Sequence, residues 1–319
     1  MSLLDRVMTE PELQSEPPVL VDVGAAGGVH PAWRRIARYA VGVGFEPDAR
    51  EAAPLDAAQR EFKRWIFCPG LAVPESPADG QATLHLTRSP QCSSTLPPRT
   101  AALAEWAFAD FFEVIETRAC AATTLETALR AQGLGRIDWL KCDTQGTDLR
   151  LYRSLSPVWR KGLGVVEFEP GLIDAYEGED GAADVLALMA CEPYWLAEIV
   201  VGRTPRGRRE LVARHFGGDA MKWYRRLAPP APGWVNLRFL RRVEDGIERP
   251  DRRGVLLAWV FATITGQHGQ ALLVAEIGGQ QFGGELFDAM ARASRRSLWW
   301  AMAGALPGLV WRRLWRSAG

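Results

Sequence analysis

VLVDVGAAGGVHPAW, residues 19–33, reads as a strand, a glycine turn and the start of a helix. The strand is apolar except for Asp22; Gly24, Gly27 and Gly28 make the turn, and Pro31 suits a first helical turn. Glycines let the backbone come close to a ligand, and a helix N-terminus offers unpaired N–H groups. In PAWRRIARYA (31–40), Trp33, Ile36, Ala37 and Ala40 share one helical face while Arg34, Arg35 and Arg38 take the other. The following strand, VGVGFEP (41–47), ends in Glu46, 22 residues beyond Gly24. A carboxylate at that strand end can hydrogen-bond a ribose diol.

Outward from this unit the alternation continues. Strands are expected at 65–73, 137–143 and 164–170, with a helical stripe of Leu149, Tyr152 and Leu155 after the fourth strand. ATLHLTR (82–88) reads as a short extra strand and 89–99 as a proline- and serine-rich loop. A helix is expected at 184–193, and strands at 194–202 and 234–242. This pattern predicts an α/β fold, an open and mostly parallel sheet with helices on both faces. At 241–253 nine of thirteen residues are charged, which reads as a linker or solvated turn. The expected organisation is a lead-in (1–18), an α/β domain (19–245) and a C-terminal helical extension (246–319).

Composition narrows the function classes. Basic and acidic residues balance at 38 each in 319 residues, so no overall field draws the chain to nucleic acid. The five cysteines lie at least 22 residues apart with no C-x-x-C pair, which points to free thiols in a reducing compartment. No signal-peptide pattern or spanning apolar run occurs, so a cytoplasmic protein is expected. No His, Asp or Glu cluster has metal-ligand spacing, and no metal is predicted.

Two ligands fit a glycine turn followed by an acidic strand end. A dinucleotide wants G-x-G-x-x-G, but Ala26 stands at the second glycine and Asp22 would repel a pyrophosphate. S-adenosylmethionine (SAM) has no phosphate and carries a positive sulfonium, so acidic residues favour it. A non-catalytic module that keeps the fold as a binding surface is a further alternative.

VDVGAAGG (21–28), GFEPD (44–48), LKCDTQGTDLRLYRSL (140–155) and VVEFEPGLIDAYEGE (165–179) resemble, in order, the motifs of FkbM-type methyltransferases. The resemblance runs from about Leu20 to Val201. It implies a Rossmann-like class I methyltransferase with a seven-stranded sheet, SAM as cofactor, and O-methylation of hydroxyls on glycans, polyketides or other small-molecule acceptors. Gln145 departs from the family's usual glutamate, and the tail beyond 250 has no counterpart.

On that reading Asp22, Gly24, Ala25, Ala26, Gly27 and Gly28 meet the methionine end of SAM. Glu46 holds the ribose with Pro47 at its border, and Ala72 and Val73 flank the adenine. Asp143, after the fourth strand, faces the reacting methyl as sulfonium partner or proton acceptor, with helix capping as its ordinary alternative. His30, entering the helix after the turn, is a second candidate base because a helix N-terminus favours neutral imidazole. Glu167, Glu169 and Tyr176 are expected toward substrate.

From Ala289 to Gly319 there are six arginines, four tryptophans and no acid. Fifteen uncharged residues broken by Pro307 are too short and kinked to span a bilayer. This tail is expected either to lie on an anionic membrane surface or to pack back on the chain or on a second copy.

Overall fold

Apolar residues at every second position give each central strand two distinct faces, and the register between strands turns those positions into rows. The computed structural model describes residues 1–25, 29–51, 60–244 and 250–316. The strands are β1 (Val19–Val23), β2 (Val41–Phe45), β3 (Arg64–Cys68), β4 (Leu71–Ala72), β5 (Gln81–Thr87), β6 (Val114–Thr123), β7 (Trp139–Cys142), β8 (Val165–Phe168), β9 (Tyr194–Pro205) and β10 (Pro230–Arg241). Seven of them form one sheet in the order β3-β2-β1-β7-β8-β10-β9. Pairing is parallel from β3 to β8, and β10 runs antiparallel to both its neighbours. The chain is therefore α/β with a mostly parallel seven-stranded sheet. Its order reverses between β1 and β7, the switch point at which doubly wound sheets bind ligands.

One face of the sheet is apolar. Val21, Leu140, Val166 and Phe239 form one register row; Val23, Cys142, Phe168 and Leu237 form the next. All are buried against Leu125, Leu129, Leu149, Tyr152, Trp159 and Val185 of the crossover helices. The opposite face begins with the row Leu20, Trp139, Val165 and Leu240 and then turns ionic. Asp22, Lys141, Glu167, Arg238 and Glu198 stand in register on β1, β7, β8, β10 and β9 with alternating charge. Lys141 Nζ lies 2.9 Å from Asp22 Oδ1, Arg238 Nε 3.1 Å from Glu167 Oε1, and Arg238 also pairs with Glu198 at 2.5 Å.

Several details differ from the sequence reading. The 65–73 segment is two strands, because Pro69 and Gly70 break it. β3 joins the large sheet, while β4 pairs with β6 in a three-stranded sheet of order β4-β6-β5. β6, at 114–123, is a further strand, exposed along most of its length, that no apolar alternation marks. Residues 31–40 form two short 3₁₀ turns rather than one α-helix, yet Trp33, Ile36, Ala37 and Ala40 are buried as the pattern requires. Two further helices, Arg209–Phe216 and Ala220–Leu227, lie between β9 and β10.

The chain divides into two units, 18–241 and a second made of 1–17 with 242–319. The lead-in therefore belongs with the C-terminal helices. In that unit, Arg252 reaches both Glu10 and Glu12 at 2.5 Å, and Arg253 Nε donates to the Glu16 carbonyl at 3.1 Å. Trp259 Nε1 donates to the buried Ser294 hydroxyl at 2.9 Å. The last helix, Glu285–Arg316, continues through Pro307 instead of breaking there. Trp299, Trp300 and Met302 are exposed on it, and among the described residues no helix is long and apolar enough to cross a membrane.

The ionic row generates a stability prediction. Lys141→Met strands the buried Asp22 carboxylate and is expected to cost about 3–5 kcal/mol, read by urea unfolding. Adding Asp22→Leu to that variant is expected to recover much of the loss, since an apolar pair needs no compensating charge. A double variant no more stable than Lys141→Met would show that the pair is not what Lys141 serves.

Candidate functional site

A cavity of about 430 Å³ opens where β1, β2, β7 and β8 end, on either side of the switch point. A strand repeats its face every second residue, so the residues two beyond the ionic row stand directly in front of it. Gly24 follows Asp22, Glu46 follows Gly44, Asp143 follows Lys141 and Glu169 follows Glu167. All four of these forward residues line the cavity. At Gly24 the backbone is left-handed (φ 82°), and a Cβ there would meet the Asp143 carbonyl oxygen at 1.9 Å. Only glycine allows β1 and β7 to stay in contact while the chain turns.

The other walls come from three places. The 89–99 loop gives Ser89 to Thr95, the turn before helix Asp148–Ser154 gives Thr144 to Thr147, and Phe108, Phe111, Phe112, Ile173, Tyr176 and Trp234 supply apolar surface. Five carboxyl residues (Glu46, Asp48, Asp143, Glu169, Glu179) line the cavity, and no lysine, arginine or histidine does among the described residues. Asp48 is neutralised by Arg50 at 2.5 Å.

Burial dominates the acids. It raises Glu46 to about 7 even though Oε1 accepts the Asp48 N–H at 2.8 Å. Glu179 also rises to about 7 by burial, against backbone hydrogen bonds from Ala175 and Tyr176. Asp148, buried behind the cavity, rises to about 6 through burial and the nearby Asp143 charge. Burial, and then the charge and hydrogen bond of Asp143, push Glu169 up to about 8. Asp143 also accepts Gln145 Nε2 at 2.9 Å and lies 3.8 Å from Lys141 Nζ. Burial opposes the Lys141 charge, but Asp22 and Asp143 together hold its pKa above the ordinary lysine value.

Gln145 is held in left-handed backbone (φ 57°), a costly conformation for a residue with a side chain. Its carbonyl accepts the Ser94 hydroxyl at 2.7 Å, and its amide oxygen lies 3.0 Å from the Tyr176 hydroxyl. The amide thus gives a donor to Asp143 and an acceptor to Tyr176. A glutamate at 145 would place a further carboxylate against Asp143.

The structure gathers Gly24, Glu46, Pro47, Ala72, Asp143, Glu169 and Tyr176 at the cavity and places other expected residues elsewhere. Asp22 is turned to Lys141 within the ionic row rather than to the cavity. Ala25 is buried with its N–H on the Phe45 carbonyl, and the Val73 N–H bonds to Thr123 in the small sheet. His30 and Glu167 are not on the lining; they face each other at 3.4 Å. His30 Nδ1 accepts the Ala32 N–H at 3.3 Å, and Glu167 also accepts Trp139 Nε1 at 2.7 Å. Burial would raise Glu167, but His30 and then Arg238 overcome it and hold the carboxyl at about 2. Asp143 does not cap the following helix; Asp148 accepts the Thr144 N–H at 2.7 Å instead. Ala26, Gly27 and Gly28 lie outside the described residues. Sequence reasoning passed over Glu179, Trp234 and the aromatic run at 106–112, although WAFADFF is itself a visible signal.

Comparison with protein-family models, curated proteins and solved structures finds no match to this chain.

The raised acids predict a pH effect. Their folded pKa values exceed the ordinary ones, so the folded protein holds protons that the unfolded chain has released. Stability is then fully present below the ordinary carboxyl range and is lost as pH rises from about 4.5 through about 7, where these groups ionise in the folded protein. Thermal unfolding of wild type is expected to show a falling midpoint across that window, and Glu46→Gln with Glu179→Gln a flatter one. A midpoint that rises with pH would contradict this assignment of protons.

Proposed function

We propose that the chain is a SAM-dependent methyltransferase that methylates a hydroxyl on a glycan, a lipid-linked sugar or another small-molecule acceptor. The observation that carries this reading is the switch-point cavity lined by five carboxyl residues and no basic side chain among the described residues. A pyrophosphate placed there would find carboxyl groups and no basic side chain on the lining, which argues against a dinucleotide. SAM brings an ammonium and a sulfonium instead, and the motifs that resemble FkbM-type enzymes lie at the ends of the strands that open onto the cavity.

The donor set fits SAM. Glu46 is 7% exposed and offers a carboxylate to a ribose diol, and Ala72 and Leu71 give apolar surface for a base. When bound, SAM supplies an electrophilic methyl group for in-line displacement by an oxygen nucleophile. The protein's work is then to align the acceptor, exclude water and receive one proton. Asp143 is the group placed to take that proton, and its hydrogen-bonded neighbour Glu169 steadies it within the pair. Lys141, 3.8 Å behind, keeps Asp143 in place from the ionic row. Phe108, Phe112 and Trp234 form the apolar wall against which an acceptor would lie; Phe108 and Trp234 are stacked at 6.2 Å.

Calorimetric titration is expected to show SAM binding and no NAD binding. Glu46→Ala should weaken SAM by about 1–3 kcal/mol. Because a ribose diol binds the ionised carboxylate and Glu46 titrates at about 7, SAM affinity should rise with pH across neutrality, by about tenfold between pH 6 and pH 8. That slope should vanish in Glu46→Gln. Asp143→Asn should depress methyl transfer at saturating SAM far more than it weakens SAM binding. Wild-type protein that binds NAD and not SAM would overturn the reading.

A further inference from the structure

The helices Arg209–Phe216 and Ala220–Leu227 form a helical insertion between β9 and β10. One side of this pair is anchored. Val212, Met221 and Tyr224 pack with Ala107, and Arg225 Nε donates to the Ala107 carbonyl at 2.6 Å. The Arg225 guanidinium also pairs with Asp110 and lies 4.7 Å from the centre of the Phe111 ring, itself a wall of the cavity. The insertion is thereby fixed beside the cavity.

Its other side is apolar and open. Phe216 is 74% exposed, Trp223 58% and Leu227 76%. Isolated exposed apolar residues need no explanation, but three large ones on one small element mark an interaction surface. Around them the charge is one-sided. Between 203 and 228 there are eight lysines and arginines against Glu210 and Asp219, in a chain whose total charge is zero. Arg214, Lys222 and Arg226 are exposed and enter no ion pair among the described residues.

We propose that this insertion docks on an anionic lipid surface. A tryptophan and a phenylalanine seated at headgroup depth with arginines and lysine beside them is the chemistry that a bilayer interface rewards. A second copy of the chain fits less well, because a two-fold contact would set this basic surface against itself. Docking by the insertion presents the neighbouring cavity to molecules carried in the membrane. The Trp-rich helix of the other unit is a separate surface and is not required.

Flotation with vesicles of equimolar phosphatidylcholine and phosphatidylglycerol tests this without cofactor or turnover, so its failure would leave the proposed reaction untouched. Full-length protein is expected to float with these vesicles at low salt and to be released by high salt. It should stay behind with phosphatidylcholine alone. Phe216→Ser/Trp223→Ser/Leu227→Ser, all at exposed positions, should keep the wild-type melting curve and reduce the bound fraction at least tenfold. Lys222→Glu/Arg226→Glu should do the same through charge, while Trp299→Ser/Trp300→Ser should still bind. The proposal is overturned if wild type does not float, or if the triple variant floats as wild type does. It is equally overturned if only the Trp299/Trp300 variant loses binding, or if the triple variant abolishes a dimer seen by sizing without lipid.

Discussion

A single row of alternating charge across five strands is the constraint that the large sheet is built around. Asp22, Lys141, Glu167, Arg238 and Glu198 come from segments far apart in the chain and meet only if every strand is in register. A slip of one residue would turn a charge into the apolar face beneath Tyr152 and Trp159 and leave its neighbours unpaired. Hydrophobic burial supplies most of the driving force on that apolar face, yet it tolerates many packings. Paired buried charges do not, because each half is costly without the other. His30 and Trp139 complete the row by filling the remaining acceptor positions of Glu167.

The candidate site inherits its geometry from this row. Glu46, Asp143 and Glu169 stand one pleat ahead, on the same face, at the ends of adjacent or nearby strands. The cavity acids therefore cannot shift independently of the row behind them, and Lys141 touches both layers. The opposite wall is of another kind, made of aromatic rings and the 89–99 loop, and shares none of the sheet's register. One wall is rigid and charged; the other is apolar and assembled from loops. A site of this form fixes a positively charged ligand on one side and leaves the other free to be shaped to an acceptor, as the proposed reaction requires.

What could be read in advance follows from how local each signal is. β1, the glycine turn and Glu46 are contiguous patterns, and the positions of Asp143 and Glu169 follow from strand ends that the apolar period marks. The fates of Asp22 and Glu167 do not. Their partners Lys141 and Arg238 lie 119 and 71 residues away, so a carboxylate expected at a ligand turns out to face a cation on the next strand. His30 follows Glu167 for the same reason. β6 was invisible because VIETRACAAT is exposed along most of its length and carries no apolar alternation. The apolar run at 65–73 divides at Pro69–Gly70, because proline cannot donate to the ladder and the chain leaves the large sheet there to pair with β6.

The pairing of Arg252 with Glu10, 242 residues apart, bears on how the chain acquires its fold. On a ribosome, residues 1–17 emerge before the helices at 252–316 and wait for these partners until they have been made. The sheet unit, 18–241, is complete well before that and can form meanwhile. During synthesis the first helices remain an unsatisfied amphipathic segment, with Val7, Met8 and Leu13 awaiting burial. Closing so long a loop is slow but its entropic cost grows only with the logarithm of length. The smaller unit is thus a clasp that can shut only once both portions of the polypeptide exist.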